Sequence, residues 1–356
     1  MSVELQLNKR PRMEWLDAMR GFTMILVVAY HVSIFSLGQN IKHSTALSFF
    51  VMFRMPLFFF VSGFLAYSSK MEWNLRTLGL NLMKKCKVQL IPTVVFLCAY
   101  LSLMQPNFIE AFKSAIQLPT KSGYWFTWAL LLMFIVYYIF AYLESKLPKK
   151  TIVPIILLWI GATVVYATIY MPSWFTYHKE PFYQYTSLIQ VMLFFHFFLF
   201  GTIVRRKWNV VERLFDSKWF YAVVIIIAFM CAADYLKWHT LRLQWANLPR
   251  TLAMYSLVLI VVMFFRHYNS WFTQKTMVGR CLQYIGTRTL DIYLLHYFFL
   301  PNAKIVGKFF SENRQNFVLD TTLSTLLSLL VIGFCLITSN ILRVSPILKK
   351  YLFGRP

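Results

Sequence analysis

Apolar positions along this chain do not alternate as in a half-buried strand, nor do they form the narrow stripe of a surface helix. They gather in blocks, most of them roughly 17 to 22 residues long, separated by short polar connections. A helix needs about 20 residues to cross about 30 Å of hydrocarbon, so the blocks predict membrane-spanning helices. They place spans at 21–37, 47–67, 88–103, 124–143, 152–170, 188–204, 219–235, 252–265, 290–300 and 321–342. The pattern implies an all-α, polytopic integral membrane protein of about ten transmembrane helices, in one domain over 1–356. The span at 290–300 is the shortest, and it carries Asp291 and His296.

Polar breaks within the blocks add detail. KKCKVQLIP puts Pro92 just inside the third span, where it should start or kink that helix. Pro56 should interrupt the second span just after Arg54, and Ser62-Gly63 supplies a small patch for close packing. Between the fifth and sixth spans, MPSWFTYHKEPFYQY (171–185) mixes six aromatic residues with His178, Lys179 and Glu180. That loop reads as an interfacial aromatic belt or as a platform for sugar faces.

Composition agrees: 58% of the 356 residues are hydrophobic, 19% aromatic and only 14% charged. The net charge of +23 could suggest nucleic acid, but a chain with most of its length in lipid is no nucleic-acid binder. The charge has a topological explanation instead. With the N-terminus inside, 25 of the 36 Lys and Arg fall in inside segments, so both termini should be cytoplasmic. The 20 residues before the first span include KRPR and no small-residue cleavage site follows, so no signal peptide is expected. The five cysteines show no CxxC, which supports neither a disulfide framework nor a metal site.

Ionisable residues in oil cost roughly 2.5 to 3.5 kcal/mol at a helix centre, so the few present are informative. In DAMRGFTMILVVAYHVS, the eleven residues from Arg20 to His31 return the helix to within about 20° of the same face, about 16 Å further along. Arg20 should sit at the inner edge with Asp17 beside it, and His31 near mid-depth; Gly21 should let another backbone or a ligand approach. The blander reading makes Arg20 a positive-inside anchor and His31 a packing residue. In FRMPLFFFVSGFLAY, Arg54 must meet an anion, a carbonyl or water. In IGTRTLDIYLLHYFFLP, Arg288 and Asp291 are three apart and can pair, while Thr289 and His296 share a face. His196, among aromatic neighbours, reads as packing. Histidines that accept a hydroxyl proton beside arginines that neutralise phosphate or an oxyanion suit group transfer. A proton-coupled transporter or flippase for a lipid or saccharide is the alternative, with His31 and His296 as relays. The scarcity of mid-span carboxylates and of inverted repeats weighs against it.

These motifs together resemble the integral-membrane acyltransferase-3 family of bacterial O-acyltransferases, over nearly the whole chain. The resemblance rests on WLDAMRGFTMILVVAYH, with Arg, ten residues and His; on RMPLFFFVSGFL; on KKCKVQLIP; and on IGTRTLDIYLLHYFFLP. It implies transfer of an acyl group, usually acetyl from acetyl-CoA, to a hydroxyl of a cell-surface polysaccharide or lipid-linked sugar at the bacterial inner membrane, by the stand-alone type. No bound cofactor is implied; acyl-CoA is a substrate, and membrane lipids surround the chain. Arg20 and His31 correspond to the family's important pair, and Arg54 with Ser62-Gly63-Phe64 matches its second-span motif. On this reading the catalytic residues are His31, Arg20 and Arg54. Asp17, Ser62, Lys84, Lys85, Lys87, Asp291 and His296 are expected to bind substrate. The donor phosphates should stay at the inner edge near Arg20 and the three lysines while the pantetheine arm reaches His31.

Overall fold

The computed structural model describes residues 13–40, 44–148, 151–169, 180–235, 248–312 and 317–353. Among them every regular element is helical. The first, α1 (Glu14–His31), starts with Glu14 and Asp17 in its first turn, acids that the positive end of a helix dipole favours, and passes straight into a π-helical turn at Val32–Ser36. A π-turn widens the helix by one residue, and it begins here directly after His31. The second, α2 (Thr45–Ala66), is capped by the Ser44 hydroxyl, which accepts from the Leu47 N–H at 3.1 Å. It runs unbroken through Pro56, which removes the usual helical donor to the Met52 carbonyl without ending the helix.

The third helix departs from the expected span. α3 (Leu75–Met104) begins thirteen residues before residue 88, because Asn74 and Thr77 form a reciprocal capping box, and Pro92 lies in its interior. Lys84, Lys85 and Lys87 are therefore helical residues, not loop residues. A short amphipathic α4 (Phe108–Gln117) leads to α5 (Trp125–Glu144), α6 (Val153–Thr168), the single turn α7 (Pro181–Tyr185) and α8 (Leu188–Arg206). α9 (Trp208–Phe215) meets α10 (Lys218–Tyr235) at a bend of 81°. Then come α11 (Leu248–His267), α12 (Met277–Thr287) and α13 (Thr289–Leu295), which tightens into a 3-10 turn at His296–Phe299. α14 (Lys304–Glu312), α15 (Phe317–Leu342) and α16 (Pro346–Phe353) complete the described chain.

Among the described residues, seven helices are long and apolar enough to cross a membrane, or eight counting the bent pair α9–α10. Two expected spans fall on shorter helices. The 152–170 block folds as α6, with 16 residues. The 290–300 block holds a seven-residue α-helix and a four-residue 3-10 turn, and at 1.5 Å per residue α13 reaches only about 10 Å. Most of that segment is buried, so it serves as an inner wall.

Lipid-facing and inner surfaces sort by side-chain size. α15 buries Ser324, Ser328, Cys335 and Ser339 and turns Leu330, Phe334 and Ile337 outward, as a helix in hydrocarbon should. Two close crossings hold the centre. A Cβ on Gly21 would lie 2.0 Å from the Leu282 carbonyl oxygen and one on Gly286 1.8 Å from that of Asp17, so α1 and α12 touch backbone to backbone. Gly63 and Gly201 do the same for α2 and α8, against the carbonyls of Phe198 and Phe60. The space left over is filled with aromatic rings.

Candidate active site

The α1–α12 crossing brings the α13 segment alongside α1, and both Arg20 and His31 of α1 meet it. Arg20 donates to Asp17 at 3.1 Å and to the Thr289 hydroxyl at 3.3 Å. His31, further along the same helix, places Nδ1 2.9 Å from Nε2 of His296, with the rings stacked at 4.9 Å. Thr289 and His296 are seven residues apart on one face, and Arg20 and His31 match them. The two α1 side chains therefore share one inward stripe.

The proton positions of the histidine pair follow from their partners. Nδ1 of His296 lies 2.8 Å from the Tyr293 carbonyl and 3.1 Å from that of Ile292. Carbonyls only accept, so this nitrogen carries the proton. Neither ring pairs with a carboxylate among the described residues, and both are buried, which favours neutral imidazoles. Neutral His296 then offers a lone pair at Nε2, and His31 must donate to it from Nδ1. That leaves Nε2 of His31 as an acceptor. It is 3.3 Å from the Tyr297 hydroxyl, whose one proton is shared with the Gly123 carbonyl at 3.4 Å.

His31 lines a cavity of about 840 Å³, which Tyr297, the neighbour of its Nε2, also lines. Aromatic and aliphatic side chains form most of its wall, and Arg54, Tyr30 and Tyr297 share it with His31. It extends to Gln105 and Asn302 in the connections, and to Lys304 at the start of α14, at one end of the bundle. Arg54 is 8% exposed, with its guanidinium carbon 3.4 Å above the centre of the Tyr30 ring. Its Nε has no hydrogen-bond partner, and among the described residues no carboxylate pairs with it. A guanidinium held this way in an apolar wall is available to a developing negative charge.

The wall at Gly123 depends on an unusual backbone. Lys121, Ser122 and Gly123 all have positive φ, and a Cβ on Gly123 would lie 2.3 Å from the Tyr297 ring. Lys121 pins this turn by donating to the carbonyls of Ile116 and of Tyr185, the latter at 2.7 Å. Burial pulls its ammonium below the usual lysine range. Tyr293 then joins the turn to α13, donating to the Gly123 carbonyl at 2.9 Å and accepting from the Phe126 N–H at 3.1 Å.

Other expected site residues lie elsewhere. Asp291 does not pair with Arg288: Arg343 grips it with bonds of 2.6 to 2.9 Å, and Ser339 adds one of 2.6 Å. Arg288 instead donates to Asn340 and stacks on Tyr284 at 4.6 Å. The helix breaks at Arg288, which turns the two side chains apart. The Ser62 hydroxyl is bonded to the Phe58 carbonyl at 2.9 Å, and the residue is not in the cavity wall. Lys85 is inserted between helices, Nζ 3.5 Å above the Phe134 ring and within electrostatic reach of Arg20 and Lys84. Lys84 and Lys87 are exposed. His196 is fully buried against Tyr255, whose hydroxyl is 2.6 Å away. Of the aromatic loop, residues 171–179 lie outside the described residues. Sequence reading missed Tyr297, Tyr30 and the Gly123 turn. Tyr297 adjoins His296 and could have been suspected, whereas the other contacts are tertiary and leave no local mark.

Comparison with known proteins identifies the family. The family model for the Acyltransferase domain of the acyltransferase-3 family matches residues 13–339, which takes in all the helices around the cavity. The chain belongs to that family, and it is a multi-pass membrane acyltransferase. No curated protein and no solved structure matches it. The family match favours acyl transfer over the transporter alternative.

Proposed function

We propose that the protein transfers an acyl group, acetyl in the simplest case, from acyl-CoA to a hydroxyl of a cell-surface polysaccharide or lipid-linked sugar at the bacterial inner membrane, with both termini cytoplasmic. The observation behind this reading is His31, which lines the cavity with Nδ1 tied to His296 and Nε2 left as an acceptor, beside a buried Arg54 that no carboxylate pairs among the described residues. An acceptor hydroxyl takes the place of Tyr297 as donor to Nε2, and Tyr297 turns its proton to Gly123. As the hydroxyl oxygen attacks the thioester carbonyl carbon, its proton passes to Nε2. The charge gathering on the carbonyl oxygen meets Arg54. The carbon–sulfur bond then breaks, and the sulfur leaves as the thiol of CoA with the proton held by His31. Atoms balance without an added reactant: acyl-CoA and alcohol become ester and CoA.

His296 acts as the orienting partner. By accepting from Nδ1 it keeps the basic nitrogen of His31 on the cavity side, and it accommodates the imidazolium by accepting a now charge-assisted bond. Arg20 and Lys85 stand at the far end of the α1 stripe, where the polar part of the donor would remain in water. The rise from Arg20 to His31, about 16 Å, suits an extended pantetheine arm. Purified protein should release free CoA from acetyl-CoA only when an acceptor saccharide is added. Absence of release with every saccharide offered, from protein shown to be folded, would remove this reading.

A further inference from the structure

A second cavity, of about 750 Å³, lies at the other end of the bundle and plays no part in the chemistry above. The connection 67–73 forms one side, and the ends of α5 and α8 and the start of α6 form the other. Two of the helices that reach it, α5 and α8, also wall the first cavity. α5 contributes Trp125 and Phe126 to the first and Tyr137, Ala141 and Glu144 to the second; α8 contributes Phe194 to one and Arg206 to the other. At 1.5 Å per residue the two cavities are about 18 to 22 Å apart along these helices.

The charges of this second cavity are unbalanced. Arg206 and Glu144 neutralise each other through bonds of 2.9 and 2.5 Å. What remains is Lys70, Lys146 and Lys207 against Glu72, and none of the three lysines forms an ion pair among the described residues. Tyr67, Trp73 and Tyr137 line the cavity among them, the Tyr67 ring 5.2 Å from the Arg206 guanidinium. From Trp73 a line of contacts leads inward: its ring lies 5.3 Å from Tyr138, Tyr138 lies 5.4 Å from Phe134, and the Lys85 ammonium sits 3.5 Å above Phe134 within electrostatic reach of Arg20.

We propose that this cavity binds the phosphorylated purine end of a nucleotide, with the lysines on a phosphate monoester and an aromatic ring against the base. The inference rests on the acyl-CoA reading and extends it. The nucleotide end would be held here and the diphosphate near Lys85 and Arg20, leaving the rise along α1 for the arm. A lipid phosphate shares the phosphate chemistry, but a headgroup offers no flat base to three aromatic residues.

The test uses full-length protein in lipid nanodiscs and a triple charge reversal, Lys70→Glu, Lys146→Glu and Lys207→Glu. All three lysines are exposed, so the fold should survive. The wild type should bind adenosine 3′,5′-bisphosphate and prefer acetyl-CoA to its 3′-dephospho analogue. The variant should lose both properties, its KM for acetyl-CoA rising by about tenfold or more while kcat and the acceptor KM stay nearly unchanged. Trp73→Ala should weaken bisphosphate binding without altering the dephospho preference. An unchanged donor KM in the variant, with an active wild type, overturns the proposal and leaves the donor reading intact. So does a variant whose only change is a lost response to phosphatidylglycerol, which would assign the cavity to lipid. If the wild type binds the bisphosphate, the variant does not, and acetyl-CoA is never consumed, the nucleotide site stands and the donor reading falls.

Discussion

His31 cannot act alone, because an isolated imidazole in an apolar wall has no reason to keep its lone pair on the cavity side. His296 supplies that reason, and its own tautomer is set by the carbonyls of Tyr293 and Ile292. Removing the acceptor should therefore matter more than removing the ring. His296→Leu is expected to lower kcat by about 10²-fold, and His296→Gln, whose amide oxygen can still accept from Nδ1, should recover much of the loss. Equal losses in the two variants, measured with the donor saturating, would count against the orienting role. Gly123→Ala should injure the same site from the other side, since the new methyl group meets Tyr297 and the backbone there has φ of +97°. Its expected signature is reduced activity with a lower melting temperature, read by thermal unfolding in detergent. Arginine and histidine in an oily block could be singled out from sequence, because such residues are rare in lipid. Their partners could not: Tyr30 lies under Arg54 only because α1 and α2 pack together, and one-dimensional spacing does not record that.

Helix-to-helix contacts explain why the motifs include small residues. Gly63 faces α8 and Gly21 faces α12, so Gly63→Leu should push α2 from α8 and cost about 3 kcal/mol or more. Loss of folded protein in the membrane fraction would reveal this, whereas a stable, active variant would contradict the crossing. Asp291 tells a similar story for α15. Its carboxylate is 3% exposed and bound to Arg343 and Ser339, so Asp291→Asn leaves Arg343 without its counter-charge, a change of about 3 kcal/mol when one member of a buried pair is removed. A double-mutant cycle with Arg343→Gln should show strong coupling, while Arg288→Gln with Asp291→Asn should be additive. From sequence, Arg288 was the natural partner at three residues' distance. The break at Arg288 defeats that expectation, and the true partner, 52 positions away, comes from another helix. The early start of α3 was open to detection, since Asn74 and Thr77 have the spacing of a capping box, but the polar face of KKCK looks like a loop when hydropathy alone is followed.

At the scale of the whole molecule, two cavities stand at opposite ends of one set of helices, and His31 lies between a polar rim and an apolar chamber. The all-α membrane class was plain from the length of the apolar blocks. The count was less so, because α6 is short and the 290–300 block folds into a wall segment too brief to cross hydrocarbon alone. The proposed orientation rests on the lysine and arginine excess in the inside segments, of which Lys70, Lys146, Arg206 and Lys207 line the second cavity. Cysteines introduced near each terminus should therefore be labelled only from the cytoplasmic side, and labelling of either from outside would contradict the assigned topology. The central claim is that Nε2 of His31 removes the acceptor's proton. Acceptor-dependent release of CoA from acetyl-CoA, compared between purified wild type and His31→Ala in the same membrane mimetic, tests it most directly. A loss of about 10²- to 10⁴-fold in a variant that remains folded is the predicted result; release at close to the wild-type rate would contradict it.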